Sequence, residues 1–235
     1  MTRIETSLAG QSLVDRIAYR VVRNLVTGFC LVWCRMRIDG REHVPSDGIF
    51  ILAPTHRSII DTPVASAVTR RRMRFMGADK WWMVPVLGRT LTALGGFPVT
   101  RGSADREALR RCIEILDGGE PLVLFPEGER KSGPIVEPLF DGATYLAAKT
   151  GAPIVPVGIG GSERVMPRGA KFIFPRRIHV VVGPPIAAPH GPTPKEQRAA
   201  ARLVTGDLHV ELQRLLDEAD RRAGVAQTRS NEPSR

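Results

Sequence analysis

Phe50-Ile-Leu-Ala-Pro-Thr-His-Arg-Ser-Ile-Ile-Asp61 is the stretch whose reading decides the fold. Residues 49–53 are uniformly apolar and read as a buried strand, which Pro54 ends. The following Thr62-Pro63-Val64-Ala65 reads as a helix start, with Asp61 or Thr62 as cap and Pro63 in the first turn. A strand, a short polar loop and a helix are the repeating unit of an open α/β sheet, which places its sites at the carboxyl ends of strands. His56 stands at that position, and Asp61 is near enough in the chain to fold back onto the imidazole. The carboxylate would fix the tautomer and stabilise the imidazolium while the other ring nitrogen takes a proton. A loop histidine near an aspartate usually does no chemistry, so the pair takes its meaning from the rest of the chain.

Working outward, strands are predicted over 73–78, 95–101, 121–126, 153–159 and 178–182, with a strand and turn over 38–48. The 153–159 strand carries two prolines, which predicts an edge or bulged position. Helices are predicted over 63–71, 140–150 and 195–223, and another begins at Ser103 or Asp105 and carries Leu109, Cys112, Ile113 and Leu116. Residues 81–94 hold Pro85 and Gly88 and read as a broken helix. Leu208, Leu212 and Leu215 give the last helix its buried stripe. Helices alternating with strands predict an α/β fold, a mixed but mostly parallel sheet flanked by helices.

The 235 residues suit one such domain, and the apolar fraction of 43% excludes wholesale disorder. Lys and Arg number 34 against 24 Asp and Glu, which favours an anionic partner such as a phosphorylated substrate, an acidic lipid surface or an acidic carrier protein. The basic residues are scattered and form no nucleic-acid motif, so nucleic acid is set aside. Three cysteines make neither a disulfide framework nor a zinc set, and Cys30 and Cys34 fall in an apolar helical pattern as packing residues. No metal-ligand set is read. The first residues lack the layout of a secretory signal.

Ser12 and Asp15 predict the start of an N-terminal helix. Leu13, Ile17, Val21, Val22, Leu25, Val26 and Phe29 fall on one broad face, with Arg16, Arg20 and Arg23 opposite. Residues 25–34 carry no charge, but a bilayer span needs about 20 apolar residues. This helix either caps the core or lies in a membrane interface; its flanking arginines and Trp33 favour the interface. The division is therefore residues 1–37 as a membrane-interface helix, 38–225 as the α/β domain and 226–235 as a disordered tail.

Three predicted strand ends carry polar clusters: His56 with Asp61, Arg101, and Glu127 with Arg130. Around them stand four ordered blocks. Thr55-His-Arg-Ser-Ile-Ile-Asp61, Gly96-Phe-Pro-Val-Thr-Arg101, Phe125-Pro-Glu-Gly-Glu-Arg-Lys-Ser132 and Ile154-Val-Pro-Val-Gly158 resemble the four motifs of the glycerolipid (PlsC-type) acyltransferase family. The first block is weak alone; the third is far more specific.

The resemblance implies acyl transfer from acyl-CoA or acyl-ACP to a lysophospholipid hydroxyl, with no cofactor. It implies His56 as general base, Asp61 as its orienting carboxylate, and Arg101, Arg130 and Lys80 as phosphate-binding cations. Glu127 and Gly128 would shape the glycerol end, and Val155, Pro156 and Val157 would line the acyl side. Lysophosphatidate is the first acceptor, with glycerol 3-phosphate or another lysophospholipid as alternatives. A non-catalytic scaffold on anionic lipid is the competing class. The setting implied is the cytoplasmic face of a membrane, peripheral or monotopic. Two departures bear on the acceptor: Thr55 stands where the family usually has Asn, and Glu129 where it often has Thr.

Overall fold

The computed structural model describes residues 12–99 and 106–226. Seven strands form one sheet: β1 Arg37–Asp39, β2 Ile51–Pro54, β3 Arg74–Ala78, β4 Gly96–Val99, β5 Leu122–Val123, β6 Ile154–Gly160 and β7 His179–Val182. Their order is β1-β7-β6-β2-β5-β3-β4. From β6 to β4 all neighbours are parallel, whereas β7 pairs antiparallel with β6 and parallel with β1. The sheet is mixed and mostly parallel, as the alternation of elements requires.

Alternation along β2 sorts the core. Phe50 and Leu52 join one buried cluster, with Cys30, Cys34, Val64 and Val68; Ile51 and Ala53 join the other, with Cys112, Leu116, Leu146 and Leu212. Helices α1 (Leu13–Val32) and α2 (Asp61–Ser66) cover the first face. Helices α4 (Arg106–Asp117), α5 (Gly142–Thr150) and α7 (Pro194–Ala223) cover the second, and α3 (Pro85–Ala93) and α6 (Ser162–Val165) are short connectors.

The last helix shows how the sequence sets the packing. Thr193 and Glu196 close a capping box at the start of α7. Leu208, Leu212, Leu215 and Leu216 are buried on β6, each contributing about 1.5–3 kcal/mol relative to exposure. The helix backbone lies so close to β6 that a Cβ on Gly158 would stand 2.3 Å from Leu215, and one on Gly160 2.2 Å from Ala219.

Two expectations change. The strand over 154–160 is central and wholly buried, between β2 and β7, despite Pro156 within it and Pro153 just before it. Pro156 shows why: its carbonyl accepts from Gly183 N–H, and the β7 ladder begins only at Val157↔Val182. The missing N–H falls at the end of that ladder, between the Val157↔Val182 pair and the Ile154–Ile186 bridge, so one bond is lost and the pairing on either side stays intact.

The second change concerns α1. Ser12 caps it as expected. Its apolar positions, however, divide. Val22 and Val26 turn partly inward with buried Tyr19 and Cys30, while Leu13, Ile17, Val21, Leu25, Phe29 and Val32 lie exposed. Arg23 sits on the inward side, donating to Ser66 O at 3.0 Å. Among the described residues no helix is long and apolar enough to cross a membrane.

Candidate active site

β2 and β5 are neighbours, and their carboxyl ends deliver the first and third sequence blocks to the same edge of the sheet. His56 Nδ1 lies 3.1 Å from Asp61 Oδ2. A carboxylate only accepts, so Nδ1 carries the proton and Nε2 holds the free lone pair. Asp61 is fully buried and His56 nearly so. The ring stacks on Phe125, with centroids 4.0 Å apart and planes 22° from parallel.

Asp61 caps no helix. Residue Ile60 occupies the N-cap of α2 without a side-chain bond, and α2 is shorter than predicted. The Asp61 carboxylate instead folds back over its own loop, where Oδ2 accepts from the N–H groups of Arg57 and Ser58 at 2.6 Å each. One oxygen therefore fixes both the loop backbone and the histidine tautomer. Ser58 ties the loop outward through a 2.7 Å bond to Met166 O.

Glu127 has partners the sequence did not announce. It was expected at the glycerol end as an acceptor, yet it is fully buried. Its Oε2 accepts from His56 N–H at 3.0 Å and its Oε1 from Glu137 N–H at 3.3 Å. Both oxygens lie 2.8 Å from Arg57 Nη1. Its carboxylate therefore faces the protein. Gly128 keeps its expected character: φ is +72°, and a Cβ would stand 2.7 Å from the Phe140 ring.

Of the expected cations, Arg130 is half-buried beside this turn, and no carboxylate among the described residues pairs with it. Lys131 Nζ lies 3.0 Å from Glu129, so the unusual carboxylate of the third block is neutralised by its neighbour rather than by Arg130. Lys80 is exposed at the end of β3, on the same sheet edge, with Nζ 5.3 Å from the Trp81 ring centre. Arg101 lies outside the described residues.

Val155 and Val157 are buried in the core cluster on the first face, and Pro156 is buried beside them. The pocket that β6 borders is lined from that strand by Ile159 and not by Val155, Pro156 or Val157. Thr55, the departure from Asn, is buried too, and its Oγ1 accepts from Ile159 N–H at 3.0 Å. It binds the end of β2 to β6. Three of the other four histidines make structural bonds: His179 to Asp39, and His43 and His209 to backbone carbonyls. All three cysteines are buried, and burial pushes the Cys112 thiol up to about 12.

Residues 35–160, more than half the chain, match the Acyltransferase family model. The chain belongs to the Acyltransferase family. Its matched segment contains the His56–Asp61 loop, Glu127 and Arg130. A chloroplast 1-acyl-sn-glycerol-3-phosphate acyltransferase of Brassica napus is 29% identical over 153 residues, covering 63% of this chain and 44% of the relative. A 1-acyl-sn-glycerol-3-phosphate acyltransferase of Bacillus subtilis is 26% identical over 187 residues, covering 78% of this chain and 90% of the relative. The chain thus spans less than half of the plant protein and nearly all of the bacterial one. The 1-acyl-sn-glycerophosphate (LPA) acyltransferase PlsC from Thermotoga maritima shares the fold, with a TM-score of 0.71 at 22% identity over 88% of this chain and 83% of that one. Arg57 and Phe125 are the residues in contact with Glu127 and His56 that sequence reasoning passed over. Each was quoted within a motif, but neither gave any sign of its partner.

Proposed function

We propose that this protein transfers a fatty acyl group from a thioester donor, acyl-CoA or acyl-ACP, to the free hydroxyl of lysophosphatidate, giving phosphatidate. The observation that carries the reading is the buried His56–Asp61 pair with Nε2 left free. The names of the Brassica and Bacillus relatives support the acceptor. Nε2 takes the proton of the acceptor hydroxyl as its oxygen attacks the thioester carbonyl. The tetrahedral intermediate collapses to the new ester, and the departing thiolate recovers the proton from the imidazolium. No acyl-enzyme forms, so no nucleophilic cysteine is required. Arg130, with Lys80 and Arg101, would hold the phosphate and so place the hydroxyl at His56.

The same reading puts the protein on the cytoplasmic face of a membrane, peripheral or monotopic. Leu13, Val14, Ile17, Val21, Leu25 and Val32 form an exposed apolar strip on α1, edged by Arg16 and Arg20. Met83, Val84 and Val86 add exposed apolar surface on the neighbouring α3 segment.

The test offers palmitoyl- and oleoyl-CoA in detergent micelles with lysophosphatidate and glycerol 3-phosphate side by side, and His56→Ala as control. Turnover on lysophosphatidate, lost in the folded variant, is the expected result. Turnover by His56→Ala sinks the base assignment; preference for glycerol 3-phosphate sinks the acceptor.

A further inference from the structure

Acyl transfer as written gives no task to Arg57, yet this arginine is 5% exposed and every guanidinium nitrogen is engaged. Nε donates to Gly133 O at 2.9 Å and Nη2 to Ile135 O at 2.9 Å. Nη1 donates to Glu127 at 2.8 Å and to His56 O at 3.2 Å. The guanidinium therefore ties the catalytic loop to the turn after β5 and to the 133–135 segment. Glu127 completes the link by accepting the His56 N–H.

Such an arrangement is a poor way to gain stability. Removing two ions from water costs about as much as their attraction returns, and apolar packing of the same volume does as well. What this buried pair supplies is direction, because the planar guanidinium puts Nη1 on both Glu127 oxygens while Nε and Nη2 are fixed by two backbone carbonyls. Here the fixed object is the peptide group of the catalytic histidine. Its side chain is held independently, by Asp61 and by the Phe125 ring.

We propose that Arg57 is a positioning residue for acyl transfer: acting through Glu127, it holds the His56 backbone and thereby aims Nε2 at the acceptor hydroxyl. It touches neither the imidazole nor the substrate. The proposal rests on the acyl-transfer reading above.

The structure also supplies a way to test it. A pocket of about 200 Å³ opens onto Arg57, walled by Gly133, Pro134, Ser162, Arg164 and Asp220. His56 and Asp61 are not among its walls, so a small cation can reach the guanidinium position without entering the catalytic cleft.

Arg57→Ala is expected to lower kcat about hundredfold, the scale of a misplacement near 1 Å, with KM for both substrates within about threefold of wild type. Guanidinium chloride at tens of millimolar, against sodium chloride at equal ionic strength, is expected to restore at least about tenfold of that kcat, as replacing lost orientation should. Because Arg57→Ala strands Glu127 as an unpaired buried charge, its folding is checked by circular dichroism and Arg57→Lys is measured beside it. It keeps the charge but reaches fewer partners, so kcat is expected to fall about tenfold at unchanged KM. Wild-type kcat in folded Arg57→Lys overturns the proposal. A rise in lysophospholipid KM proportional to the kcat loss, or folded Arg57→Ala that guanidinium does not rescue, overturns it as well. His56→Ala in the same assay separates the two readings. If wild type turns over and His56→Ala does not, only the positioning role is at stake; if wild type is silent, the acyl-transfer reading falls and the positioning role with it.

Discussion

Replacing Asp61 with asparagine isolates the electrostatic half of the catalytic pair. Asparagine has the shape of aspartate, and its carbonyl oxygen still accepts from the Arg57 and Ser58 N–H groups, now 2.6 Å from Oδ2. What disappears is the charge facing Nδ1 across 3.1 Å. When Nε2 has taken the acceptor's proton, an imidazolium stands with its charge centre about 4 Å from the carboxylate, and at an effective dielectric near 20 that attraction is about 4 kcal/mol. At about 1.4 kcal/mol per decade, its loss costs roughly a thousandfold in kcat. KM should stay near wild type, because Asp61 is fully buried and reaches no substrate. Stability should fall by only about 1–3 kcal/mol, since the amide nitrogen takes the place of Oδ1, which already lacks a hydrogen-bond partner. The assay is steady-state turnover on lysophosphatidate and an acyl-CoA in micelles, with circular dichroism and a thermal melt to establish folding. A folded Asp61→Asn enzyme within tenfold of wild-type kcat would refute the reasoning, because the imidazolium would then have no need of its neighbour.

Three further outcomes are expected. Gly128→Ala combines a φ of +72° with a Cβ 2.7 Å from the Phe140 ring, so it should lose about 1–2 kcal/mol from backbone strain alone. Its Tm should drop by about 2–4 °C per kcal/mol, partly recovered by Phe140→Ala; an unchanged melt would mean the turn is looser than it looks. Burial pushes the Asp220 carboxyl up to about 6, so the folded protein holds that proton more tightly than the unfolded chain. Stability should therefore fall as pH rises from about 4 to about 6, by at most about 3 kcal/mol, and urea midpoints for Asp220→Asn should lack that slope. Identical slopes in the two proteins would dismiss the assignment. Val21→Glu with Leu25→Glu places two charges on the exposed strip of α1 and should abolish co-sedimentation with anionic vesicles while micellar kcat stays unchanged. Undiminished vesicle binding would remove α1 from the membrane.

The sequence showed the strands and the His56–Asp61 pair for the same reason: both are local. A run of apolar residues closed by Pro54 makes a strand, and His56 and Asp61 meet because only a tight loop separates them. Its failures were all failures of partner. Glu127 was assigned to the glycerol end by the family resemblance, and nothing in the chain marks Arg57 as its mate 70 residues away. Val155, Pro156 and Val157 were placed on the acyl side by the family resemblance alone, and the prolines separately argued for an edge strand, which β6 is not. The contacts that hold β6 around Pro156 come from Gly183 and Ile186, about 30 residues further along the chain. For α1 the periodicity gave an apolar face but not the side on which the protein lies. The inward contacts went to Tyr19, Val22, Val26 and Cys30, and most of the stripe was left outside.

The shortness of β5 explains how so few residues organise the site. Only Leu122 and Val123 lie in the ladder, flanked by β2 and β3. One further bond, Leu124 N–H to Leu52 O at 2.9 Å, carries the chain to the level of the catalytic loop. There the strand stops, freeing the next residues to turn under His56 instead of running past it. Phe125 brings its ring against the imidazole, and Gly128 N–H bonds back to Phe125 O at 3.0 Å, closing the turn. That turn sets Glu127 beneath the His56 peptide, while Lys131 N–H donates to His56 O at 2.8 Å. Both backbone polar groups of His56 are thus satisfied by the third motif. A β5 longer by one residue would exchange the directions of Phe125 and the residue after it, because side chains alternate along a strand. The stacking ring and the buried carboxylate would both be lost from the histidine. The Phe-Pro-Glu-Gly block is accordingly the more specific of the two motifs: it must end a strand, reverse the chain and support the base within four residues.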